Sequence, residues 1–236
     1  MHMRFHLNIN KIKDFIGSEN KSMTSVFLWI PNIIGYFRFV FLFAVLFTYD
    51  CCPVTTIVLY AVSQLLDMFD GMAARHFNQC SNFGAVLDMV CDRASNAVML
   101  AILGHLYPQY SWLFYGDIIL DLVSHWYQMY SALSSGKHHK QIKNKFALLD
   151  IYYYNKLVLG GLVAGNEAFL LSSYLLAFSE QLQLSTGSHY FFFGLMVVSG
   201  LLFAVKKLMS VLQLIGSAMT IAERDAQTPQ SDQKKS

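Results

Sequence analysis

Apolar residues come in long runs, separated by short polar breaks, from about residue 33 to residue 216. The runs cover about 33–49, 54–73, 84–106, 111–133, 157–178 and 190–216. Each is near the roughly 20 residues that a helix needs to cross a bilayer. The pattern predicts an all-α membrane protein, a six-transmembrane-helix bundle over residues 25–222. Pro31, in WIPNIIGYFR, ends the segment before it and can open the first helix. Residues 1–24 are polar, with no apolar core followed by a small-residue cleavage site, so we expect a loosely held tail and no cleavable signal. Phe5, Ile9, Ile12 and Phe15 would also suit an amphipathic interfacial helix there. The tail from 223 to 236 is polar, and we expect it to be disordered.

Composition supports the membrane reading. Only 14% of the 236 residues are charged and 55% are hydrophobic, against roughly 25% charged in a soluble domain. Net charge is +2, which says little, but its distribution sets an orientation. The first, third and fifth connections contain no Lys or Arg, whereas the fourth carries Lys137, Lys140, Lys143 and Lys145. Arg4, Lys11, Lys13 and Lys21 precede the first run, and Arg224, Lys234 and Lys235 follow the last. Cytosolic loops collect Lys and Arg, so both termini and the second and fourth connections are expected to be cytosolic. Cys51, Cys52, Cys80 and Cys91 have no metal spacing, and a bridge between the adjacent Cys51 and Cys52 would be strained. We read all four as small apolar side chains.

The second and third runs carry the chemistry. DMFDGMAARHFNQCSNFGAVLDMVCD reduces to D-x-x-D-G-x-x-A-R-x8-G-x-x-x-D-x-x-x-D. A carboxylate in a membrane span costs several kcal/mol unless compensated, which makes each one a functional candidate. Asp67 and Asp70 are three apart and share a helix face. Gly84, Asp88 and Asp92 are four apart and form one stripe. Two helix ends, each with a carboxylate pair, can close around hard divalent cations, and all-oxygen donors favour Mg²⁺ or Mn²⁺. Gly71 and Gly84 leave the backbone open to a ligand, and Arg75 suits phosphate. Together they point to phosphoryl transfer at the cytosolic face.

Other polar residues have two readings each. Asn32 and Arg38 either mark a helix start with a snorkelling arginine, or place Asn32 beside the site. Asp117, Asp121, Ser124 and His125 form a polar stripe in the fourth run. The stripe either faces a substrate cavity or pairs with Arg93 or Lys156. Lys156 can reach phosphate, and Tyr152 to Tyr154 suit an interface. Gly161 and Gly165 make a GxxxG pattern, for packing within the bundle or between chains. Asn166 and Glu167 suggest no role. Lys206 and Lys207 are read as cytosol-directed or paired.

The aspartate skeleton resembles the CDP-alcohol phosphatidyltransferase family at every fixed position of its signature. PNIIGYFR, LDLVSHWYQMYSAL and YYYNKLVLGGLVAGNEAF extend the likeness to the eukaryotic phosphatidylinositol synthases, over roughly Val26 to Ala222. The resemblance implies a homodimeric enzyme of the endoplasmic reticulum membrane, its site facing the cytosol. It would join CDP-diacylglycerol to myo-inositol and release CMP, with Mg²⁺ or Mn²⁺ and no nucleic-acid partner. It also implies roles: Asp67, Asp70 and Asp88 as metal ligands, and Asp92 as proton acceptor close to metal. Gly71, Arg75, Ser81 and Asn32 would contact CDP-diacylglycerol. For inositol our candidates are Asp121, Ser124 and His125.

Two other classes compete. A transferase of the same family could use glycerol 3-phosphate or serine, and the metal motif does not distinguish them. A transporter would string its acids along a path across the bilayer, whereas these gather near one face.

Overall fold

The computed structural model describes residues 25–134 and 146–227, and among these every regular element is helical. The Lys-rich fourth connection and the amino-terminal tail lie outside the described residues. The chain divides into two compact units, one up to Ala94 and one from Ser95 onward.

In the first unit, α1 (Ile30–Thr48) packs along α2 (Pro53–His76). Proline stands in the first turn of both, where its missing N–H costs nothing. The buried face of α1 is Pro31, Asn32, Gly35, Arg38, Leu42 and Val45, a stripe at helical spacing. Thr56 Oγ1 donates to Thr48 Oγ1 at 2.9 Å, tying the two helices at one end. After α2 the chain turns through Asn78, whose φ of 53° is left-handed. Gln79 N donates to Ala74 O at 2.9 Å, which makes the turn a Schellman cap with Asn at the position that favours Gly or Asn. The Gln79 side chain then accepts from Ile30 N at 3.0 Å, satisfying a free donor at the start of α1. Ser81 caps α3 (Asn82–Leu106) by accepting from Gly84 N at 2.9 Å. The amino-terminal half of α3 belongs to this unit.

The second unit holds the rest of α3, a 3₁₀ turn at Pro108–Tyr110, α4 (Ser111–Ser134), α5 (Ala147–Tyr154), α6 (Lys156–Ala177) and α7 (Thr186–Gln227). Both α4 and α6 pack on α7. Asn155 caps α6 by accepting from Leu157 N and Val158 N. Gln128, Tyr153 and Gln213 close a ring of hydrogen bonds at 2.6–2.7 Å that holds the short α5 against α4 and α7. The sequence pattern gave no sign of α5, because eight residues make too few turns for a periodic signal. At the other end, residues 228–236 lie outside the described residues. The tail expected from 223 is helical to Gln227, where Arg224 Nη1 donates to Ser131 O at 2.9 Å and extends α7 along α4.

Burial differs from that of a water-soluble protein. Among the described residues the largest fully buried side chain is Arg38, and Asn32, Ser63, Asp121, Ser124 and Asn166 are buried too, beside an apolar core that includes Tyr60, Met99, Leu100 and Leu170. Phe47, Trp112, Trp126, Leu157 and Leu201 are exposed. Large apolar side chains facing outward, with polar groups kept inside, suit lipid as solvent. Four helices, α1, α2, α6 and α7, are long and apolar enough to cross a membrane. At 25 and 24 residues, α3 and α4 are also long, but they carry the acidic stripes that make them more polar.

Candidate active site

The first unit brings the four signature carboxylates together. Asp67 and Asp70 project from the last turns of α2, and Asp88 and Asp92 from the first turns of α3. Asp67, Asp70 and Asp88 offer oxygens within 4.8 Å of one another. Asp92 joins them through a shared partner, Arg38, a residue that the sequence reading had left as a helix-end cation.

Arg38 does not snorkel. It is 1% exposed and turns into the unit. Its Nη1 lies 3.0 Å from Asp70 and 2.9 Å from Asp88. Its Nη2 lies 2.6 Å from Asp67 and 2.7 Å from Asp92. Each nitrogen therefore bridges one aspartate of α2 and one of α3. A planar fork with donors on both arms can do this, and an ammonium cannot. The signal for Arg38 was present in the sequence: it continues the stripe of Asn32 and Gly35, and a cation midway along an apolar run needs an anion.

A cleft of about 160 Å³ opens beside the cluster, lined by Asn32, Asp70, Gly71, Ser81, Gly84 and Asp88 among others. These include most of the positions expected to contact the CDP-lipid. Asn32 Nδ2 donates to Val26 O at 2.6 Å, which fixes the amide. A Cβ at Gly84 would lie 2.9 Å from Asn32 Oδ1 and 3.2 Å from Ser81 Oγ. Glycine there is a requirement of close approach. Arg75 is outside the lining, but its Nη1 would be 3.5 Å from a Cβ at Gly71, so its guanidinium lies over that glycine. Ser81 thus has a structural duty as helix cap besides any ligand contact.

The donor set fits a hard divalent cation. It is all carboxyl oxygen, three of the groups converge, and one guanidinium faces all four.

The second unit holds the other polar stripe. Asp121 is 2% exposed. Ser124 Oγ donates to Asp121 O at 3.1 Å, and His125 Nδ1 is 2.8 Å from the same carbonyl. Asp117 pairs with Lys207 at 2.7 Å, a partner the sequence reading did not name. Lys207 also lies over the Phe203 ring, 4.6 Å from its centroid. Asn166, for which the sequence suggested no role, donates to Asn96 Oδ1 at 3.3 Å and Glu167 Oε1 at 3.2 Å. None of the four cysteines is in a disulfide; Cys51, Cys52 and Cys80 are exposed, and Cys51 and Cys52 Sγ lie 3.0 Å apart.

The chain is similar to known proteins over most of its length. It is 42% identical to the human CDP-diacylglycerol–inositol 3-phosphatidyltransferase, covering 86% of this chain and 95% of that one. The enzyme of the same name from Candida albicans is 38% identical over 88% of both chains. The Schizosaccharomyces pombe enzyme is 33% identical over 93% of this chain and 99% of its own. No solved structure gave a match. Residues 28–178, which hold the whole aspartate cluster and its arginine, match the CDP-alcohol phosphatidyltransferase model, and the chain belongs to that family.

Proposed function

We propose that this enzyme transfers the phosphatidyl group of CDP-diacylglycerol to myo-inositol, giving phosphatidylinositol and CMP. The observation that carries this is the identity, across nearly the full length of both chains, to enzymes named for that reaction. The carboxylate cluster beside a cleft supports it. Asp67, Asp70, Asp88 and Asp92 would hold Mg²⁺ or Mn²⁺. Bound there, the cation would neutralise the pyrophosphate and the departing CMP.

The chain's own residues do the rest. Asn32, Gly71, Ser81 and Arg75 orient the CDP-lipid in the cleft. An inositol hydroxyl attacks the phosphorus bearing diacylglycerol, an O–P bond forms, and the bond to the CMP oxygen breaks. Asp92 accepts the hydroxyl proton. Its carboxylate is partly open to solvent, as those of Asp67 and Asp88 are, and the match to the signature's last aspartate is what assigns the role to it. Asp121, Ser124 and His125 are the candidates for inositol contact. Ser124 and His125 both contact the Asp121 carbonyl, and His125 Nδ1 also lies 3.7 Å from the Asp121 carboxylate, so the three act as one polar group.

Six spans, with both termini and the site on the cytosolic side of the endoplasmic reticulum membrane, complete the proposal. Lys placement supports the orientation. Residues 25–222 form the transferase domain, and the protein acts as a homodimer. The test is CMP release by purified protein from CDP-diacylglycerol, offered a panel of alcohols. Release with myo-inositol alone is expected. Preference for glycerol 3-phosphate or serine would move the protein to another branch of the family.

A further inference from the structure

The coordination of Arg38 is a second layer of the site. It is buried, it spans both carboxylate pairs, and the α1 backbone is held at Arg38 and again at Gly35. Ser63 Oγ donates to Arg38 O at 3.2 Å, and Cys91 Sγ approaches Gly35 O at 3.5 Å one turn earlier. The guanidinium pairs with the same three carboxylates that could hold a cation, those of Asp67, Asp70 and Asp88.

We propose that Arg38 is a built-in counter-cation, a positioning residue that holds the α2 and α3 carboxylates together without metal and competes with the divalent ion for them. The inference rests on the metal reading above. Four carboxylates at this spacing repel one another strongly. A fork bridging each α2 acid to an α3 acid offsets that repulsion and fixes the separation of the two helices. The same contacts must loosen when a divalent ion takes the oxygens. By reciprocity, whatever factor metal costs the arginine pairs, the arginine costs metal affinity.

The experiment uses the full chain in detergent, with thermal unfolding in chelator and in saturating Mn²⁺, and Mn²⁺ uptake followed by electron paramagnetic resonance. The variants are Arg38→Gln, Arg38→Lys and Asp70→Asn. Arg38→Gln is expected to lower the melting temperature in chelator much more than in Mn²⁺. Its Mn²⁺ midpoint should fall by about tenfold, within the usual range of coupling between sites. Arg38→Lys keeps the charge but cannot bridge both pairs, so it should fall between wild type and Arg38→Gln in both readings. If Arg38→Gln does not fold in chelator, the Arg38→Lys midpoint decides, and it must lie below wild type. An equal loss of stability with and without Mn²⁺ and an unchanged midpoint would overturn the proposal and leave a structural arginine. Weaker Mn²⁺ binding would overturn it too. If wild type and Asp70→Asn take up Mn²⁺ identically, the metal reading itself fails, a pattern distinct from failure at Arg38.

Discussion

Asp70 and Asp92 share one guanidinium but differ in access: Asp70 is nearly closed off and Asp92 is partly open. Substitution tests the roles proposed for them. Asp92→Asn keeps shape and hydrogen bonding but cannot take a proton. We expect turnover to drop by roughly 10²–10⁴, the usual worth of a positioned base, with CDP-diacylglycerol affinity kept. Asp70→Asn should lose affinity along with turnover. Equal loss of nucleotide binding in both variants would make Asp92 chiefly a ligand. Gly84 gives a second test at this scale. Its missing side chain leaves room for an Asn32 amide that is already tied to Val26 O and cannot easily give way. Gly84→Ala should cost about 1–3 kcal/mol of stability by overpacking and raise the KM for CDP-diacylglycerol, read by thermal unfolding and steady-state kinetics.

At the scale of elements, the GxxxG pattern of α6 resolves into two different glycines. A Cβ at Gly165 would lie 2.5 Å from Leu202 Cβ on α7, whereas one at Gly161 meets nothing within 4 Å. Gly165 is therefore a packing residue inside the second unit. Gly165→Ala should lower stability by about 1–3 kcal/mol, and Gly161→Ala should leave the melting temperature in place. Equal effects would mean that the two glycines are used alike. The buried stripe of α7, which includes Ser199, Lys206, Met209, Ser210, Gln213 and Gly216, follows the same logic. Small and polar residues let membrane helices approach, because apolar contact alone offers no gain over lipid.

For the whole molecule, two outcomes check the placement of the site. Activity should vanish in a strong chelator and return with Mg²⁺ or Mn²⁺; full activity in metal-depleted enzyme would remove the metal from the proposal. Cys51 and Cys52 are exposed in the connection between α1 and α2, which the charge pattern assigns to the lumenal side. In sealed microsomes a membrane-impermeant maleimide should not modify them until the membrane is opened. A cysteine introduced at Lys140 should react at once. The reverse pattern would invert the orientation of the chain.

Periodicity and charge by themselves determined the helical class, the four carboxylates, and the bounds of the long helices to within a few residues, except that α7 runs on to Gln227, well past its apolar stretch. Apolar runs of membrane length and acids spaced three and four apart are properties of local sequence. The tertiary structure decided what those acids face. Arg38 lies 29 positions before the nearest of them, and only the packing of α1 against α2 and α3 turns its fork into their midst. The same holds for Lys207 and Asp117, which meet because α4 lies on α7, and for α5, held by a ring of side chains from three helices. A pair distant in sequence leaves no periodic trace. In an apolar surround, however, a buried charge must find its opposite, and the fold determines which one is in reach.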